Sequence, residues 1–225
     1  MSSTTRADAR AEMAADVLRI GRDHLVAHGP TGLSLRAVAR DLGVVSSAVY
    51  RYVRSRDDLL TLLVVDAYTE LADAVDTAIA ETEDARSRIV RAATAMRSWA
   101  IAEPARWALL YGTPVAGYEA PGETTTGPGT RVMATLVACA AELTPAPARP
   151  VSDTLHTDFD RIRSEFGTDI PDASLVRALS LWSVIVGAIS CEVFGQYGRD
   201  TFSDTGSLFD LQIRASVDAA FPESA

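Results

Sequence analysis

The chain has 225 residues, 48% of them hydrophobic, and a formal net charge of −9. That is enough for one large helical domain or two small ones with an ample core, while the acidic balance excludes a protein that coats nucleic acid over its whole surface. No apolar run reaches the roughly 18 residues that span a bilayer, and the opening MSSTTRADARAEMAAD is too polar for a signal peptide, so a cytoplasmic protein with no membrane partner is expected.

The charge is unevenly spread. Residues 1–60 carry nine Arg against seven acids, and residues 61–225 twelve Arg against 23 acids. Within 36–56 the local balance is +4. A basic end on an acidic body suits a DNA-binding head on a body that does not bind DNA.

Along the chain, residues 7–28 form an amphipathic helix, with Met13, Val17, Ile20, His24 and Leu25 at helical spacing and Gly29-Pro30 as its stop. Residues 33–63 follow as LSLRAVARDLGVVSSAVYRYVRSRDDLLTLL. Leu35, Val38, Ala39 and Leu42 give the first short helix an apolar face, Ser34 is its N-cap, and Gly43 ends it. The second, roughly Ser46–Val53, turns Ala48, Val49 and Val53 inward. It leaves Ser46, Ser47, Tyr50, Arg51 and Tyr52 available to base edges and phosphates in a DNA major groove. A long helix over 57 to about 82 then buries Leu59, Leu60, Leu63, Val64, Ala67, Leu71 and Val75. Its first turn belongs to the head and its remainder to the body.

The body continues with a helix over about 84–102 and a short one opened by Pro104. The segment GTPVAGYEAPGETTTGPGT is expected to be a loop. Arg131–Leu143 is helical, TPAPARP (144–150) an extended connector, and Ser152–Phe166 a more polar helix. A strongly apolar helix runs from Pro171-Asp172 to about Gly195, and a last helix spans about 205–221. No strand alternation persists, so the fold is all-α, a three-helix head with a larger helical body. Cys139 and Cys191 lie in apolar helical surroundings and suit two free thiols in a reducing compartment, with a redox-sensing pair as the alternative.

The SLRAVARDLGV helix, the short helix ending AVYRYV and the RSRDDLL that follows resemble the helix-turn-helix of TetR/AcrR-type transcriptional regulators. The segment RWALLYGTPVAGYEAP (106–121) is similar to the body of a TetR subgroup with a Trp-rich C-terminal domain. The resemblance implies a homodimeric repressor with a DNA-binding domain over 1–56 and a ligand-binding and dimerisation domain over 57–225. The family usually has Ser or Thr where this chain has Val45, Phe where it has Val53 and Lys where it has Arg56. Val45 and Val53 keep open a competing reading, a small-molecule-binding helical protein that has lost operator binding.

The candidate DNA-contacting set is Ser34, Arg36, Ser46, Ser47, Tyr50, Arg51, Tyr52 and Arg56. Tyr50 is expected on a phosphate, Arg51 on a phosphate or a guanine, and Arg56 on a phosphate near the N-terminus of the long helix. Candidate pocket residues for a small, largely apolar effector are Met96, Trp99, Trp107, Leu110, Tyr111, Met133, Val137, Trp182 and Ile185, each also compatible with plain core. Arg97, Asp158 and Glu192 could anchor a polar group or simply be solvated.

His24 and His28 stand four residues apart with no third ligand nearby, so no metal and no cofactor are expected. The absence of GxSxG, P-loop and GxGxxG motifs argues against an enzyme. The last two long helices are the expected homodimer surface, since Ser180, Ser183, Gly187, Ala188 and Ser190 permit close helix approach. The whole points to a ligand-responsive regulator whose partners are double-stranded operator DNA and a small effector.

Overall fold

A computed structural model describes residues 6–147, 149–198 and 200–222. Every regular element among them is helical: α1 (Arg6–His28), a 3₁₀ turn (Pro30–Gly32), α2 (Leu35–Asp41), α3 (Ser46–Val49), α4 (Arg56–Ile79), α5 (Ala85–Ala102), α6 (Pro104–Tyr111), α7 (Gly122–Ala141), α8 (Asp153–Phe166), α9 (Asp172–Val193) and α10 (Thr205–Ala220). The all-α expectation holds.

The structure departs from the sequence-based expectation at three places. α3 is four residues long, and 50–52 continue as turns rather than helix. The Gly-, Pro- and Thr-rich stretch is a loop only to Pro121, because α7 begins at Gly122 and carries Pro128 inside it. The Thr125 hydroxyl donates to the Pro121 carbonyl at 2.9 Å, which steadies that first turn. Gly129 lets the helix lie close to the Tyr68 ring, where a Cβ would stand 3.3 Å from the nearest ring carbon. Tertiary packing here overrides poor helix propensity. Finally, α9 is long and apolar enough to cross a membrane, with a mean hydropathy of 1.7 over its best window. Its inward stripe of Leu181, Ile185 and Ile189 is nevertheless buried, and α9 packs against α5 and α10.

Packing gathers the chain into two compact units. The first comprises the chain up to Glu70 together with Glu103–Gly129, and the second Leu71–Ala102 and the chain from Thr130 onward. The divisions therefore fall inside α4 and α7 and at the α5–α6 junction.

In the first unit, Val17, Leu33, Leu35, Val38, Ala39, Val49, Val53, Leu59, Leu60 and Leu63 form one core. Leu109 of α6 and Val115 and Tyr118 of the following loop pack on its side. α1 passes close to α4 at Gly21, where a Cβ would come within 3.2 Å of Leu59. Beside this core lies a charge cluster. The Arg106 side chain is only 2% exposed. It donates to Asp66 at 2.9 Å and Glu70 at 2.8 Å, and Glu103 lies 3.5 Å away. From α1, Arg22 donates to the same Asp66 carboxylate through two bonds of 2.8 and 2.5 Å. The Tyr111 ring packs at a tilt on Trp107 with centroids 4.3 Å apart and meets Tyr68 edge-on at 6.2 Å, and burial raises the pKa of both phenols.

In the second unit, α5, α9 and α10 pack together around Ile89, Met96, Leu181, Ile185, Phe209 and Ile213, all buried. Arg97 of α5 forms a bidentate pair with Glu192 of α9 at 2.7 and 2.6 Å. Its guanidinium also lies over the Phe209 ring of α10. Arg86 reaches the Phe221 carbonyl and Asp218. The Pro-rich connector is tied down by the Ala146 N–H donating to the Ala220 carbonyl at 2.8 Å.

Asp66→Ala leaves Arg106 with Glu70 and Glu103 but takes a charged acceptor from both Arg106 and Arg22. It is therefore expected to destabilise the protein by about 2 kcal/mol, lowering Tm by roughly 4–8 °C, as measured by thermal denaturation.

Candidate nucleic-acid interface

The turn that presents α3 is built by the end of α2. The Gly43 N–H donates to the Arg40 carbonyl and the Val44 N–H to the Ala39 carbonyl, both at 3.0 Å. This is the paired closure of a Schellman motif. It needs a left-handed residue at the first position outside the helix, and Gly43 supplies it with φ +68. Val44 then packs on the head core, and Val45 enters α3 in extended conformation. Val49 and Val53 are buried in the core, so the opposite side of this short segment faces solvent.

The face so presented divides the eight candidate residues. Ser34, Arg36, Ser47, Tyr50 and Arg51 are exposed, whereas Ser46, Tyr52 and Arg56 are half-buried. Tyr52 packs against the core. Arg56 donates to the Pro30 carbonyl at 2.8 Å, pinning the 3₁₀ turn to the start of α4. Ser34 stands at the N-cap of α2, but its side chain makes no capping bond.

Two exposed arginines missing from the candidate set, Arg40 and Arg54, share the segment. Arg40 pairs with Asp41 at 3.1 Å and Arg54 with Asp58 at 3.3 Å. The local charge of 36–56 was the signal that counted them. Val45 is 71% exposed, and periodicity gave no reason to single it out.

Two further contacts hold the segment in place. The Ser55 hydroxyl accepts from the Asp58 N–H at 3.0 Å, and the Asp58 carboxylate accepts from the Arg54 N–H at 3.1 Å, a reciprocal cap on α4. The buried His24 ring bonds the Asp41 carboxylate at 2.6 Å, joining α1 to the end of α2. The bonds from His24 and Arg40 hold the Asp41 carboxyl below its ordinary pKa. His24 and His28 meet edge-on at 5.7 Å, and among the described residues no group of three metal-ligating side chains occurs.

The nine candidate pocket residues fall in both units. Trp107, Leu110 and Tyr111 belong to the first, and Met96, Trp99, Met133, Val137, Trp182 and Ile185 to the second. Met96, Trp99, Trp107, Val137 and Ile185 are buried, and the other four half-buried. Of the three possible polar anchors, Arg97 and Glu192 satisfy each other, and Asp158 pairs with Arg161. Two clefts stand open elsewhere. One of about 640 Å³ in the second unit is lined by charged groups including Arg86, Arg91, Arg214 and Asp218. One of about 420 Å³ in the first is lined by Ala14, Val17, Tyr52, Val53 and Leu62 among others. Neither is lined by any of the nine.

Comparison with known proteins agrees with this architecture. Residues 89–216 match the family model described as the tetracyclin repressor-like C-terminal domain. The HTH-type transcriptional regulator Rv1816 of Mycobacterium tuberculosis is 49% identical over 219 residues, covering 94% of each chain. The solved structure of the protein SCO4313 superposes with a TM-score of 0.79 at 32% identity, covering 95% of this chain and 98% of that one. FadR of Bacillus subtilis, solved in complex with stearoyl-CoA, shares the fold at a TM-score of 0.61 and 12% identity, with 88% and 97% coverage.

Proposed function

The chain belongs to the TetR family of helix-turn-helix transcriptional regulators, and on that premise we propose that it is a cytoplasmic homodimeric repressor released from its operator by a small, largely apolar effector. As a member of that family it is a DNA-binding regulator and not an enzyme. The observation that carries the reading is the solvent-facing side of Ser46–Tyr52, exposing Ser47, Tyr50 and Arg51 within a segment of local charge +4.

In this proposal Arg51 and Ser47 enter the major groove, with Ser46 and Tyr52 at its edge. Tyr50 and Arg36 bind phosphates on either side, and Ser34 adds a hydroxyl to the backbone. Arg56 meets a phosphate near the start of α4 when it leaves the Pro30 carbonyl. DNA binding is assigned to residues 1–56, and effector binding and dimerisation to 57–225. The buried position of Val53 makes its departure from Phe a matter of packing. Only Val45 is left to argue for a head that has lost its operator.

The homodimer is proposed to form through α9 and α10 in a four-helix arrangement. Ser180, Ser183, Val184 and Gly187 of α9 are exposed, as is Leu211 of α10 at 66%. A Cβ at Gly187 would meet nothing within 4 Å, which leaves room for a partner helix. The effector is assigned to the body, with Met96, Trp99, Met133, Val137, Trp182 and Ile185 of the second unit as wall residues; Trp107, Leu110 and Tyr111 remain candidates within the first unit. FadR, of the same fold, holds an acyl-CoA, which supports a partly apolar ligand class. DNA requires two recognition segments roughly 34–36 Å apart. An effector that binds better when they are not so spaced must weaken DNA binding by the same coupling free energy.

Operator binding can be measured by fluorescence anisotropy on the DNA upstream of the chain's own gene. Arg51→Ala is expected to weaken it by about tenfold while leaving the melting temperature unchanged. Wild-type affinity in that variant would refute this docking. Arg56→Ala is expected to lower the slope of log affinity against log salt by about one for each head. Gly187→Trp is expected to shift the protein toward monomer in sedimentation velocity, with operator affinity falling alongside. A Gly187→Trp protein that stays dimeric would remove this face from the interface.

A further inference from the structure

We infer that Val45 recognises the 5-methyl group of a thymine in each operator half-site, an inference that rests on the DNA-binding reading above. At 71%, Val45 is the most exposed large hydrophobic side chain among the described residues. Its neighbour Val44 takes the place in the head core, so Val45 contributes nothing to packing there. It occupies the N-cap position of α3 with φ −69 and ψ 142, and no side chain caps that helix. Exposed Ser47, Tyr50 and Arg51 follow it within six residues.

A single exposed aliphatic side chain on an ordinary surface calls for no explanation. Its chemistry matters when that surface is to be dehydrated against DNA. An isopropyl group has neither donor nor acceptor, so it gains nothing from a phosphate or from the polar edges of G, C or A. Desolvating those edges against it would leave their groups unpaired, at a cost. Thymine alone presents an apolar group in the major groove, its C5 methyl. Residues at the leading end of a recognition helix are the ones that reach base edges. Val45 therefore favours T over C at the position it covers, and it does so by contact rather than by hydrogen bonding. A Ser in its place would offer a hydroxyl to a phosphate and lose this discrimination, and a Thr would keep part of it through its one methyl group.

The test uses the full-length protein and a duplex that it enriches from a random-sequence pool. Each thymine of that duplex is replaced singly by deoxyuridine, which removes only the methyl group. Wild-type protein is expected to bind about fourfold more weakly when one particular thymine of a half-site is replaced, the worth of one methyl group withdrawn from water. Replacing the equivalent thymine in both half-sites should give about sixteenfold. Val45→Ala should bind the thymine and deoxyuridine duplexes equally, and the isosteric Val45→Thr, which keeps one methyl, should fall between. The inference is overturned if no thymine shows the effect with wild type, or if Val45→Ala remains as sensitive as wild type. If wild type enriches no sequence at all, the operator reading itself fails and takes this inference with it.

Discussion

A guanidinium withdrawn from water must be matched by carboxylates at hydrogen-bond distance, because an isolated buried charge costs several kcal/mol. Arg106 imposes that constraint on the unit that holds the helix-turn-helix. Asp66 and Glu70, one helical turn apart on α4, and Glu103 at the entry to α6 converge on it. Arg22 of α1 completes the set through Asp66. Three helices from separate stretches of sequence are thereby held in one register. α6 becomes part of the same packed unit as the helix-turn-helix, although about 50 residues of chain separate them. Such a cluster adds less to stability than an apolar replacement could, but it admits few alternative arrangements of α1, α4 and α6.

That arrangement defines where a signal can enter. The chain passes between the two units at three places: inside α4 after Glu70, at the junction of Ala102 and Glu103, and inside α7 after Gly129. Two of them lie next to members of the charge cluster, Glu70 and Glu103. We propose that an effector bound in the body acts on the helix-turn-helix through α4, the helix that runs from Arg56 into the second unit. The effector supplies the free energy only to the extent that it prefers one arrangement over the other.

Much of this was legible in the sequence. The apolar positions of α1, α2 and α4 recur at helical spacing, and all seven apolar positions expected on α4 are buried. The Gly43 turn followed from its backbone freedom. What stayed hidden depends on partners distant in sequence. Nothing local distinguishes Arg106, which is buried, from Arg51, which is exposed; only the convergence of Asp66 and Glu70 does so. Arg97 and Glu192 could each have been an effector anchor, yet they close on each other across 95 residues. The first turns of α7 were hidden by a Gly, Pro and Thr composition that usually marks a loop, and packing of Gly129 against Tyr68 reverses that preference. Within the candidate DNA face, the pattern could list Arg56 and Tyr52 but could not show Arg56 bonded to Pro30 or Tyr52 resting on the core.

If the charge cluster holds α1, α4 and α6 in one register, α6 and Ser46–Tyr52 behave as one body. Hydrogen–deuterium exchange of the full-length protein, with and without the duplex it selects, tests this most directly. DNA is expected to slow amide exchange at Ser46–Tyr52 and also along Pro104–Tyr111, a segment that makes none of the proposed DNA contacts. Protection confined to α2, α3 and the first turn of α4, with exchange in α6 unchanged, would contradict it.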